Sequence, residues 1–235
     1  MKVHVTSSTS DMHRIKMVVL VDVLRSSSTI TTALSNGAKT VIPFTTLWKV
    51  VKAHGGSRLD TVLAGERNGI TPKRFNYNIS PFEMNRENVS GKTVLYSSSN
   101  LTRILGKLRK RHSILIGGLI NAKAVANYLQ NRHEDVAIVP CGTKLGTSVE
   151  DLAGAGAIAA SILHAELSDD TLAAIGLSRT KGWQNLVKRG RVAKRLTDLG
   201  FERDIEFCLT LNSSSVVPGL VGNKIIDVRR SKRLR

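Results

Sequence analysis

Residues 17–30 read Met17-Val18-Val19-Leu20-Val21-Asp22-Val23-Leu24-Arg25-Ser26-Ser27-Ser28-Thr29-Ile30. The first five form a short, β-branched apolar run, the pattern of a buried strand. The hydroxyl cluster from Ser26 to Thr29 suits the free N–H groups of a helix start, and residues 30–34 continue as helix until Asn36-Gly37 stops it. Strand, polar loop and helix in immediate succession make one βα unit, and the unit recurs. Strands are expected at 40–43, 61–64, 93–96, 113–116 and 136–140, with helices at 46–54, 102–110, 121–130 and 148–163. This alternation predicts an α/β fold with a mainly parallel sheet covered on both faces.

Residues 70–91 carry turn chemistry almost throughout, from Pro72, Asn76 and Asn78 to Asn88 and Gly91, and a loop that long is usually functional or mobile. Beyond the last clear βα unit, 167–177 read as helix and 183–199 as a very basic helix, and the stretch to 228 holds one or two short strands. No low-complexity linker divides the chain, so residues 1–235 are taken as one compact unit. A candidate subdomain boundary lies near 90, and 229–235 form a basic tail.

The 235 residues are 41% hydrophobic and 23% charged, a globular balance that excludes wholesale disorder. A chain of this length buries enough core to stand without disulfides. Its two cysteines, Cys141 and Cys208, exclude a disulfide framework and favour a reduced, cytoplasmic setting. The first 16 residues lack the apolar stretch of a secretory signal. No apolar run approaches the about 18–20 residues of a membrane span, so no membrane partner is expected.

Lys and Arg number 35 against 18 Asp and Glu, a formal charge of +17. That charge suits polyanions and small phosphorylated metabolites alike. Its excess gathers in residues 179–203 and in the tail, where no aromatics interleave for base stacking, so a solvated basic face is expected and nucleic-acid affinity would be incidental. A homo-oligomer is compatible with the sequence.

In a parallel sheet, ligands bind beyond the carboxyl ends of the strands. Four loops there are unusually polar: Asp22 to Thr29, Ser97-Ser98-Ser99-Asn100 through Arg103, Gly117 to Asn121, and Cys141 to Asp151. Each leads into a helix start that favours an anion, although one such cluster alone would be read as capping. Asp22, Glu66 in the turn Gly65-Glu66-Arg67-Asn68-Gly69, and Glu150 with Asp151 stand beside those loops. Carboxylates converging on a phosphate site are what Mg²⁺ requires, with Arg25, Arg67 and Arg103 to grip oxyanions. The competing reading of Glu150 and Asp151 is a dipole-stabilising first turn. D-x-D fails at Leu24, C-x₅-R fails at Thr147, and no P-loop occurs. The six histidines lack metal-ligand spacing, so zinc is not expected.

The ordered segments from VVLVDVLRSSSTITTALSNGAKTVIP through LAGERNG, NISPFEM, GKTVLYSSSNLTR and GGLINAKAVA to VPCGTKLGTSVEDLAGAGAI resemble the Mg²⁺-dependent 2-phosphosulfolactate phosphatases (ComB type). The resemblance implies a three-layer α/β/α fold and hydrolysis of a 2-hydroxy acid phosphate, 2-phospho-3-sulfolactate, to sulfolactate and phosphate, a step toward coenzyme M. It implies catalytic roles for Asp22, Arg25, Glu66, Arg67 and Asp151, and Mg²⁺ ligation by Asp22, Glu66 and Glu150. Substrate contacts would come from Ser28, Thr29, Asn68 and Ser80, from Ser99, Asn100, Thr102 and Arg103, and from Asn121, Cys141 and Gly142. Two departures stand out. Leu101 replaces a usual Gly, and Asn212 replaces a common Asp. A competing reading places a basic nucleic-acid-binding protein on an inactive phosphatase scaffold.

Overall fold

Strand β2 (Met17–Val21) is buried at every position, as its apolar run requires. Its side chains alternate between two cores. Met17, Val19 and Val21 enter one apolar cluster, and Val18 and Leu20 enter the other. The computed structural model describes residues 1–8, 12, 14–55 and 60–230. In chain order, β1 (Lys2–Val5) and β2 precede α1 (Ser26–Ser35), β3 (Thr40–Pro43), α2 (Leu47–His54) and β4 (Thr61–Gly65). Next come α3 (Arg86–Val89), β5 (Thr93–Ser97), α4 (Leu101–Leu108), β6 (Ser113–Gly117), α5 (Ala122–Gln130), β7 (Val136–Pro140) and α6 (Val149–Ala159). The remainder is β8 (Glu166–Leu167), α7 (Asp169–Arg179), α8 (Trp183–Lys188), α9 (Arg191–Asp198), α10 (Glu202–Cys208), β9 (Pro218–Val221) and β10 (Lys224–Asp227).

These strands form one sheet in the order β4-β5-β3-β10-β9-β6-β2-β7-β1-β8. Strands before and after residue 90 therefore interleave. Two parallel blocks, β4-β5-β3 and β6-β2-β7-β1-β8, are joined through the antiparallel hairpin β9-β10. Helices α5 to α10 cover one face, and α1 and α4 cover the other, giving the three-layer α/β/α arrangement. The α1/α4 core holds Val18 and Leu20 of one block together with Val62, Val94 and Tyr96 of the other. Three antiparallel junctions reverse the sense of the two blocks, yet Asp22 after β2 and Glu66 after β4 line one cleft, so the carboxyl ends of the two blocks converge there.

Several elements depart from the sequence reading. β1 is a polar-flanked tetrapeptide that becomes a strand because β7 and β8 pair with it. The expected helix 148–163 stops at Ala159, and β8 occupies the start of the expected helix 167–177. The basic segment 183–199 is two helices, broken where Gly190 adopts extended backbone. α10 lies in the stretch to 228, for which the sequence reading names one or two short strands and no helix. Of the basic tail, residues 231–235 lie outside the described residues. Among the described residues, no helix is long and apolar enough to cross a membrane.

Candidate active site

The first βα loop builds the floor of the site. Asp22 Oδ2 accepts the Ser26 hydroxyl at 2.8 Å and the Leu101 N–H, at the start of α4, at 3.2 Å. Its other oxygen takes only a 3.4 Å contact from Ser26 N–H. Across from it, the turn after β4 folds around Glu66. Oε2 accepts Gly69 N–H at 2.8 Å and the Ser99 hydroxyl at 3.1 Å, and Oε1 accepts Ser99 N–H at 2.6 Å. The backbone from Ser99 to Leu101 thus bridges the two buried carboxylates. Among the described residues, neither forms an ion pair with a Lys or Arg. Burial pushes the Asp22 carboxyl up to about 6, with the Glu66 charge adding in the same direction.

Asp22, Arg25, Glu66, Arg67, Asn68, Ser99, Asn100 and Arg103 all line one cleft of about 1280 Å³. The arginines differ in what they already hold. Arg25 is fully buried, ion-paired with Asp204, bonded to Asn78 Oδ1 at 2.6 Å and stacked 4.1 Å over the Phe201 ring. Arg67 donates to Glu66 O at 2.6 Å and to Ser97 Oγ at 2.9 Å. Arg103 has a buried Nε–H with no hydrogen-bond partner.

Such a cleft, with two buried carboxylates and an arginine whose donor is unclaimed, is suited to an anionic ester and a hard cation. Residues 3–223 match the 2-phosphosulpholactate phosphatase family. The chain belongs to that family. A relative from Thermotoga maritima, described as a probable 2-phosphosulfolactate phosphatase, is 38% identical over 215 residues, covering 90% of this chain and 92% of the relative. Proteins with the same description from Caldanaerobacter subterraneus and Clostridium acetobutylicum are 37% and 32% identical, covering 87% and 90% of this chain and 88% and 92% of their own lengths. The family is one of phosphoric monoester hydrolases. The comparisons give the nucleic-acid reading no support.

The other residues implied by the phosphatase resemblance lie behind the cleft wall rather than on it. Asp151 accepts Val23 N–H at 2.7 Å and Gly142 N–H at 2.8 Å, which ties the first loop to the loop after β7. Glu150 is buried against Gly190. Burial raises the pKa of both carboxyls, and their mutual charge and that of Asp22 reinforce the shift on Asp151. Among the described residues, no three His, Cys, Asp or Glu are grouped to hold a metal, and of the expected set only Asp22 and Glu66, not Glu150, line the cleft.

Ser28 donates to Val23 O, Thr29 to Arg25 O, Ser80 to Asp204 and Thr102 to Ser98 O, so these hydroxyls brace the loops. Asn121 is wholly buried between Gly118 N–H and Val216 O. Gly142 sits at φ 56°, where a Cβ would meet Gly146 O at 2.6 Å. Cys141 is buried, and that burial drives its thiol pKa well upward.

Both departures from the family pattern have a local account. Leu101 opens α4 with its side chain in the core, and its backbone lies outside the left-handed region that Gly favours. Asn212 does adopt that region, at φ 57°, and its side-chain oxygen caps α5 by accepting Lys123 N–H at 2.8 Å. Asp204, Asn78, Arg191 and Arg195 were missed as site residues. Asn78 opens the quoted segment NISPFEM but was given no role there, Asp204 was not singled out, and the last two were read as a solvated face.

Proposed function

We propose that the chain hydrolyses the phosphate ester of a small 2-hydroxy acid, with 2-phospho-3-sulfolactate as substrate and Mg²⁺ as cofactor. The observation that carries this reading is the buried Asp22–Glu66 pair, which forms no ion pair among the described residues and shares its cleft with Arg103, whose Nε–H has no hydrogen-bond partner. The donor set fits the ion, since Mg²⁺ takes one or two carboxylates and completes its shell with water and phosphate oxygens. Asp22 and Glu66 would hold it. When bound, the ion neutralises charge developing on the transferring phosphoryl oxygens.

The protein's own groups do the rest. Arg103 donates to a phosphoryl oxygen, and the start of α4 adds its positive dipole end. Ser26, Ser99 and the Gly69 and Leu101 N–H groups keep the carboxylates in place before substrate arrives. Overall, the ester P–O bond breaks, a water oxygen joins phosphorus and the proton passes to the released 2-hydroxyl. The test is phosphate release from 2-phospho-3-sulfolactate. Turnover is expected in Mg²⁺, with loss in EDTA and recovery when Mg²⁺ is restored. Full activity after exhaustive chelation would remove the metal from this reading, and no phosphate release under any condition would remove the substrate.

A further inference from the structure

We infer that Arg191 and Arg195 on α9 form a second anion site, which reads the carboxylate or sulfonate of the substrate while its phosphate lies at Asp22 and Glu66. The inference rests on the proposed phosphatase reading. A phosphorylated sulfonated acid carries three anionic groups, but the arginines nearest the carboxylate pair cannot serve them all. Arg25 is neutralised by Asp204, and Arg67 already donates to Glu66 O and Ser97 Oγ. Of the inner arginines, this leaves Arg103 and the remaining N–H groups of Arg67, too few for three anionic groups.

The opposite wall supplies what is missing. Arg191 and Arg195 stand four residues apart, hence on one face of α9, and both line the cleft. Each is outside every ion pair among the described residues, whereas Lys188 on the neighbouring helix is paired with Glu206 at 2.6 Å. The Thr143 hydroxyl accepts from Arg191 at 3.2 Å, which ties that side chain to the loop after β7. With Arg25 neutralised by Asp204, six further Lys and Arg line the cleft against three carboxylates, so the cleft carries positive charge beyond what one phosphate needs. Guanidinium groups suit the task because their planar fork grips a carboxylate or sulfonate edge with two N–H donors.

The experiment compares 2-phosphoglycolate, which has a second anionic group, with ethyl phosphate, which has none. Both are assayed in Mg²⁺ with wild type, Arg191→Met, Arg195→Met and the double variant. Lys194→Met, on the same helix but off the cleft, is the charge control. Wild type should favour 2-phosphoglycolate in kcat/KM. The double variant should lower that preference by about 10–100-fold, mainly through KM. Lys194→Met should retain the preference. An unchanged preference in the double variant, or an equal loss in Lys194→Met, overturns the site.

Calorimetric binding of 3-sulfolactate to wild type and double variant separates the two readings. If wild type turns over neither ester yet binds 3-sulfolactate and the double variant does not, the second anion site stands and the phosphatase reading fails. If neither protein binds it, the second anion site fails as well. Melting temperature verifies that each variant is folded.

Discussion

Asp22 ends a strand buried throughout, and its carboxyl is pushed up from 3.8 to about 6, chiefly by that burial. A raised folded-state value means that the ionised form is penalised in the native protein. The penalty is absent below about 3.8 and complete above about 6. In EDTA at pH 8, Asp22→Asn should therefore melt higher than wild type, by roughly 4–8 °C for relief on the order of 2 kcal/mol. The gain should shrink as pH falls toward 4. The same variant should lose about 10²–10³ in turnover with Mg²⁺ present. Retained turnover would take Asp22 out of the site. The thiols behave differently. Burial pushes Cys208 up to about 12 and Cys141 well upward too, so neither should react with a thiol reagent at pH 8 until denaturant is added. Cys141→Ser should keep turnover. A fast native-state reaction that also inactivates the protein would contradict this.

At the scale of elements, α10 is fastened to the first βα loop through Asp204, which pairs with Arg25 and accepts Ser80 Oγ at 2.7 Å. Removing one buried partner strands the other charge, so Asp204→Ala should cost about 3–5 kcal/mol in urea titration. The double change Arg25→Met with Asp204→Leu should recover much of that stability without recovering turnover. If the two single costs simply add, the pair is not coupled. Helices α6 and α7 meet at Gly156, where a Cβ would lie 1.9 Å from Ala174 O. Gly156→Ala must push the helices apart, and a loss of about 2–4 kcal/mol is expected. Wild-type stability in Gly156→Ala would show that the crossing is less tight than this. The glycines were visible in the sequence as part of a motif, but the packing reason was not, because α7 comes against α6 only in the fold.

For the whole molecule, the formal charge of +17 surrounds a cleft whose charged lining residues are mostly cationic. Attraction of an anionic substrate should weaken as salt shortens the screening length from about 10 Å at 0.1 M. Raising NaCl from 50 to 500 mM at fixed Mg²⁺ should increase KM several-fold and change kcat by less than about twofold. A flat KM would show that the net charge has no part in capture. The sequence by itself determined the βα rhythm, the two-faced burial of β2, the placing of Asp22 and Glu66 on loops after strands, and that of Arg103 at the start of the helix that follows one. Those features follow from periodicity and helix-start chemistry over a few neighbouring residues. Only the tertiary structure decided that β9 and β10 join two opposed blocks, that their carboxyl ends meet at one cleft, and that Asp204 claims Arg25. It also placed Arg191 and Arg195 on the cleft and Asp151 behind it. Each of these depends on contacts between residues far apart in the chain, and the physical forces that select them, apolar burial and charge pairing, leave no local periodicity to read.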